Sequence, residues 1–231
     1  MKIVILHGQK HKGSTWNIVN MLLYQLQDEA NEIEEFYVTD FPSCIGCFRC
    51  FYEGEQCCPH YESVNAIAVS LEQADMIFLE SPCYCMGMSG QLKSFLDHMG
   101  YRWMPHRPDG KMFQKIGVTL STAAGMGSAK TAKEMKRHLF YWGVGKQFSY
   151  GANVNASSWS EVSQKKKTGI KRDIAKLAYR IKKAARRGNP SFFTKLLFYM
   201  MRLSQKDNSW NPADRTHWEE NGWLGSVRPW K

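Results

Sequence analysis

Short apolar runs recur along this chain at spacings that an alternating strand-helix fold accommodates. KIVIL after Met1 and DMIFL from Asp75 are apolar almost throughout rather than at every second position, the pattern of strands covered on both faces. Strands are expected at Lys2 to His7, Ile33 to Val38, Asp75 to Glu80, Ile116 to Ser121 and, shorter, near Lys146 to Tyr150. Helical periodicity fills the gaps, from about Thr15 to Glu29, about Ser63 to Gln73, Gln91 to Met99 and Ala129 to Trp142. Strands separated in this way predict an α/β chain with one doubly wound, five-stranded parallel sheet in the order 2-1-3-4-5.

A chain of 231 residues with 43% apolar content fills one such domain and an extension, but not two full domains. The composition changes after Gly151, so residues 1–152 are read as the sheet domain and 153–231 as a helical, basic C-terminal extension. The net charge of +10 resides in residues 165–187, which hold eleven Lys or Arg and one acid; the remaining 20 basic and 20 acidic residues cancel. That is poor evidence for a nucleic-acid-binding core. Ile170, Ile174, Leu177 and Ile181 mark an apolar stripe on this basic helix, which should pack while the cations face water. The next segment, Phe192 to Leu203, is apolar nearly all round, which suggests burial in the interface of a homodimer or tetramer, the favoured reading, or contact with a membrane surface. No run approaches the roughly 20 apolar residues of a membrane span, and a buried strand begins at once, so a cytoplasmic location is expected.

Three loops at the carboxyl ends of the strands, where an open sheet holds its ligand, carry small and polar residues. The stretch Ser81 to His98 reads SPCYCMGMSGQLKSFLDH. Pro82 is expected to end strand pairing, Tyr84 offers a flat face, and Ser89-Gly90 caps a helix with apolar positions Leu92, Phe95, Leu96 and Met99. The result is a loop shaped for a planar ring. The first loop, GQKHKGST from Gly8 to Thr15, comes close to a P-loop, but Ser14 occupies the place of its Lys. Backbone N–H groups, the Ser14 and Thr15 hydroxyls, Lys10 and Lys12 remain at a helix N-terminus, a set suited to a single phosphate dianion. The third loop, STAAGMGSA from 121 to 129, lets the backbone approach a ligand closely.

The Ser-Pro-x-Tyr run at Ser81 to Tyr84, followed by Ser-Gly-x-Leu-Lys at Ser89 to Lys93, resembles the second flavin loop of the flavodoxin-like NAD(P)H-dependent FMN reductases. The resemblance implies a flavodoxin-like fold and FMN as cofactor. It places the FMN phosphate on Gln9, Lys10, Lys12, Ser14, Thr15 and Asn17, and the ring against Pro82, Cys83, Tyr84, Met86, Ser89 and Gly90. Thr122, Ala123, Gly125 and Gly127 would line the ring, with backbone donors that stabilise its reduced form. It further implies hydride transfer from NAD(P)H through FMN to a quinone, flavin, nitro or azo acceptor, in a ping-pong scheme. The chemistry is carried by FMN, so no catalytic side chain is assigned; Tyr84, Met86, Tyr101, Arg102, Trp103 and His106 are candidates for the acceptor wall. A flavin-binding module without enzymatic activity, docked on an anionic surface by the basic helix, is the reading from another class.

Five of the seven cysteines lie between Cys44 and Cys58. Cys44, Cys47, Cys50 and Cys57 follow C-x2-C-x2-C-x6-C, with Cys58-Pro59 directly behind, and three cysteines at intervals of three can converge on one corner of a 4Fe-4S cubane with a later fourth. Structural zinc, regulatory disulfides and reduced packing cysteines are the other readings. The arrangement resembles the iron-sulfur flavoproteins, which implies a cluster passing single electrons to FMN with a ferredoxin-like partner. Cys83 and Cys85, in the ring loop, read as small packing residues.

Overall fold

The computed structural model describes residues 1–27 and 30–231. Strands β1 (Lys2–His7), β2 (Glu32–Tyr37), β3 (Met76–Pro82), β4 (Ile116–Ala123) and β5 (Lys146–Asn153) form one sheet in the order β2-β1-β3-β4-β5. Every pairing is parallel, with Ile3 opposite Ile33 and Met76, and Phe78 opposite Val118. This is the flavodoxin-like doubly wound sheet expected from the sequence. The helices are α1 (Ser14–Leu26), the single turn α2 (Arg49–Tyr52), α3 (Tyr61–Gln73), α4 (Gly90–His98), α5 (Ser128–Tyr141), α6 (Gln164–Ala185), α7 (Phe192–Lys206) and α8 (Pro212–Glu220). The expected end of the first helix, at Glu29, lies outside the described residues.

Alternate strand residues sort into two cores. Ile3, Ile5, Phe78 and Val118 pack with Ile18 and Leu22 of α1 on one face, while Val4, Leu6, Ile77 and Leu79 meet α3, α4 and α5 on the other. The first face is finished by the basic helix. Ile170, Ile174, Leu177 and Ile181 of α6 are buried there against α1, each contributing about 1.5–3 kcal/mol by leaving water. Past the sheet, Phe198 of α7, Trp218 of α8 and Trp223 form a third cluster with Met104 and Phe113. Two of the tail tryptophans, which show no periodicity in the sequence, are thus core residues.

One expectation at the ring loop is corrected. Pro82 does not end strand pairing: it lies opposite Thr122, and the Cys83 N–H donates to the Thr122 carbonyl at 2.7 Å. Successive N–H groups in a strand face opposite neighbours, so the missing donor of Pro82 would have faced β1. β1 has already ended, its last pair being His7 with Glu80, and the missing donor costs nothing. The apolar segment from Phe192 is not buried all round. Phe198 is fully buried, while Phe192, Phe193, Leu196, Met200 and Leu203 are exposed.

Candidate functional site

The first three loops meet at the carboxyl edge of the sheet and are tied to one another by hydrogen bonds. The Ser89 hydroxyl donates to the Gly8 carbonyl at 2.7 Å and accepts the Leu92 N–H, capping α4. A Cβ at Gly8 would lie 2.7 Å from that same Oγ, so only glycine allows the first and second loops this approach. The Thr15 and Thr122 hydroxyls, both buried, share a hydrogen bond of 2.7 Å that joins α1 to the end of β4. Tyr84 donates its hydroxyl proton to Gln9 Oε1 at 3.0 Å.

Of the residues expected at the phosphate, several are therefore engaged within the protein. Besides Gln9 and Thr15, Asn17 donates its amide to the Gly13 carbonyl at 2.9 Å and Lys10 pairs with Asp40. What stays available is the start of α1 itself. Its N-cap, Gly13, supplies no side-chain acceptor, and no acid stands in the first turn. By contrast Ser89, Ser163, Ser191 and Asn211 each cap their helices through the side chain. The α1 N–H groups, the Ser14 hydroxyl and Lys12, whose ammonium lies 5.1 Å from the Trp16 ring centre, leave an end fitted to an anion.

The ring loop turns back on itself at Tyr84 to Gly87, whose backbones exchange two hydrogen bonds of 2.9 Å. Cys85 and Met86, at its tip, have φ of 48° and 67°, the left-handed pair that a tight type I′ hairpin demands and that residues other than Gly, Asn and Asp adopt only under strain. Tyr84 and Met86 stand 48% and 43% exposed, an apolar wall facing outward. Cys85 is exposed too, not a packing residue; the turn geometry lifts it off the protein. Cys83 does pack, since a Cβ at Gly127 would meet its Sγ at 2.7 Å and Met86 Sδ at 2.9 Å. Gly127 is in the left-handed region at φ 97°, so the third loop closes on the second through a position that favours glycine. A Cβ at Gly90 or Gly125 would meet nothing within 4 Å, which leaves open space over both loops.

Beneath this edge lies a pair the sequence reading missed. Buried His7 Nδ1 is 2.9 Å from Oε1 of the equally buried Glu80, its ring stacks on Tyr37, and Glu35 approaches Nε2 at 3.2 Å. Burial raises the Glu80 carboxyl above its ordinary range, and hydrogen bonding to His7 opposes the shift. The signal was two polar residues ending apolar strands, legible only once the register sets them opposite each other.

A second concave site is built around the cysteine loop. A cavity of about 390 Å³ is lined by Cys44, Cys47, Cys50 and Cys58, with His60, His98, Trp103 and His106. Cys57 is not on its wall; its thiol faces the Glu53 carbonyl at 3.6 Å. Burial and the neighbouring thiols of Cys58, Cys44 and Cys47 push Cys50 up to about 11. Arg107 donates to the carbonyls of Cys50 and Phe51 and pairs with buried Asp214 of α8 at 2.6 Å, while His106 meets the other Asp214 oxygen at 2.7 Å. Trp103 and His106, expected at the acceptor wall, thus belong to this cavity. Tyr101 is buried and Arg102 pairs with Glu72 at 2.5 Å.

Sheet order and the helices on both faces define a flavodoxin-like protein. The chain belongs to the NADPH-dependent FMN reductase family, whose model matches residues 1–159, a family of flavin-dependent oxidoreductases. An iron-sulfur flavoprotein of Archaeoglobus fulgidus is 29% identical over 150 residues, covering 62% of this chain and 64% of that protein, just under two thirds of its length. An iron-sulfur flavoprotein of Methanocaldococcus jannaschii is 30% identical over 144 residues, 61% of this chain and 72% of its own. Among solved structures, an azoreductase from Bacillus anthracis superposes with a TM-score of 0.58 at 13% identity, over 78% of this chain and 99% of that one. An NADH:FMN oxidoreductase in its apo form gives 0.54 at 16% identity, over 78% and 89%. At these identities the superpositions speak for the fold. No helix among the described residues is long and apolar enough to cross a membrane.

Proposed function

We propose that this protein transfers hydride from NAD(P)H to a small quinone, flavin, nitro or azo acceptor by way of FMN. The observation that carries the reading is the convergence of three loops at one sheet edge, with an uncapped α1 N-terminus beside an exposed Tyr84 hairpin. FMN, when bound, supplies the hydride-accepting and hydride-donating centre. The chain's own part is to bind and orient: α1 and Lys12 hold the phosphate, Tyr84 and Met86 give the ring a flat apolar side, and the backbone near Gly125 and Gly127 approaches its polar edge. Glycines at 8 and 127 keep the loops close enough for these contacts to act together. The test is titration of the purified protein with FMN, followed by NADPH with a quinone or azo dye. Saturable flavin binding with acceptor-dependent NADPH oxidation is expected; failure to bind added FMN overturns the reading.

The four thiols of Cys44, Cys47, Cys50 and Cys58 around one cavity favour a second reading, an iron-sulfur flavoprotein that carries single electrons between a 4Fe-4S cluster and FMN for a ferredoxin-like partner. On this reading Cys58, which lines the cavity, is better placed than Cys57 to be the fourth ligand. Iron and acid-labile sulfide in protein purified without oxygen would establish it, and their absence would reject it. We read the location as cytoplasmic, and the exposed Phe192, Phe193 and Met200 face of α7 as the surface a second copy covers.

A further inference from the structure

We propose that Cys58, His60 and His98 form a binding site for a single borderline-soft divalent cation such as Zn²⁺. The inference is independent of the flavin reading and uses two histidines outside the cysteine run. One donor atom from each residue lies within 4.8 Å of the other two. Thiolates of a cubane each sit on a different iron, whereas these three donors converge on one point. Zn–S bonds of about 2.3 Å and Zn–N bonds of about 2.0–2.1 Å put tetrahedral donors roughly 3.5 Å apart, and Cys58 Sγ to His98 Nδ1 is already 3.7 Å.

The surroundings prepare each ligand. His98 Nε2 donates to the Pro42 carbonyl at 3.0 Å, which fixes the tautomer and leaves the Nδ1 lone pair directed at Cys58, the outer-sphere arrangement of metal-bound imidazoles. His60 Nδ1 is buried and, among the described residues, has no hydrogen-bond partner; the protein leaves its desolvation uncompensated. The His60 ring stands edge-on to His98 at 5.2 Å. Cys58 follows the turn Glu55–Cys57, His60 is the N-cap of α3, and His98 is the last residue of α4. One ion would therefore pin the cysteine loop to two helices. Its fourth position opens into the cavity, where a water can complete the tetrahedron. On binding, the Cys58 thiol loses its proton to solvent and the thiolate takes the metal, with no change of oxidation state. An ion here removes Cys58 from the thiols available to a cluster, so the ion and a cluster that uses Cys58 exclude one another.

The test uses full-length protein purified without oxygen, stripped with a chelator and reloaded with Zn²⁺ or Co²⁺. One equivalent of metal is expected, and the Co²⁺ form should show thiolate-to-cobalt charge-transfer absorption. Cys58→Ser should abolish that band and His60→Ala should weaken Zn²⁺ binding by at least about tenfold, while Cys47→Ser and Cys57→Ser keep both. Circular dichroism of Cys58→Ser and His60→Ala separates lost ligation from lost folding. Undiminished metal in the Cys58→Ser protein, or an equal loss in Cys47→Ser, would overturn the site. So would iron and sulfide bound through Cys58 in the native protein.

Discussion

The carboxyl edge of the sheet and the cysteine cavity are assembled in different ways. At the edge, each loop follows its own strand and the strand order brings the three together, so contacts such as Ser89 to Gly8 and Thr15 to Thr122 follow from topology. The cavity takes four thiols from one loop, but it needs His98 from the far end of α4 and a brace from α8, where Asp214 holds His106 and Arg107. A site made of strand ends is given with the fold. A site made of a long loop depends on whatever packs over it.

The strongest way to break this contrast is at the brace. Asp214→Ala leaves Arg107 without its buried partner and should cost about 3–5 kcal/mol, read as a lower denaturation midpoint and faster thiol labelling at Cys50. FMN affinity should change less than about twofold; a parallel loss would mean that the two regions are one unit.

Next in size is the acid limb of stability. His138 of α5 lies edge-on to Trp103 of the cavity wall at 5.5 Å, and burial pushes its imidazole down to about 4. The unfolded chain therefore binds the proton first. Its stabilisation is complete above the ordinary value near 6.5 and drains away as pH falls through 4, by up to about 3 kcal/mol. His138→Gln should flatten stability over that window, and an unchanged pH profile would refute the assignment.

At the edge, Ser14→Asp sets a carboxylate where the phosphate is expected. FMN affinity should fall roughly 100-fold, about 2.7 kcal/mol, while the helix itself is unharmed or slightly steadier because its dipole favours the acid. Undiminished FMN binding would remove the phosphate from α1. The smallest effect is at the hairpin tip. Replacing Cys85-Met86 with Asn-Gly, the pair that type I′ turns prefer, should raise stability by about 1 kcal/mol, with the metal content of the cavity unchanged.

Much of this was legible in residue order. The runs around Ile5 and Phe78 marked strands buried on both faces, and the stripe Ile170, Ile174, Leu177 and Ile181 marked the face by which α6 closes one core. The loops after β1, β3 and β4 were found because their small residues end apolar runs. Partnerships across the chain were not legible. That Gln9 accepts from Tyr84 and Thr15 bonds Thr122 could not be read from residue order, and Pro82 looked like a strand terminator because its neighbour on that side could not be known to have stopped.

The amino-acid sequence by itself determined the alternating elements, the sheet they form and the small-residue loops at its carboxyl edge, because burial periodicity and chain connectivity are local properties written along the chain. Only the tertiary structure decided that Cys58 rather than Cys57 faces the cavity, and that His60 and His98 stand beside it. Which way a thiol points depends on the turn that carries it, and which imidazole it meets depends on helices packed from elsewhere; neither is encoded in spacing.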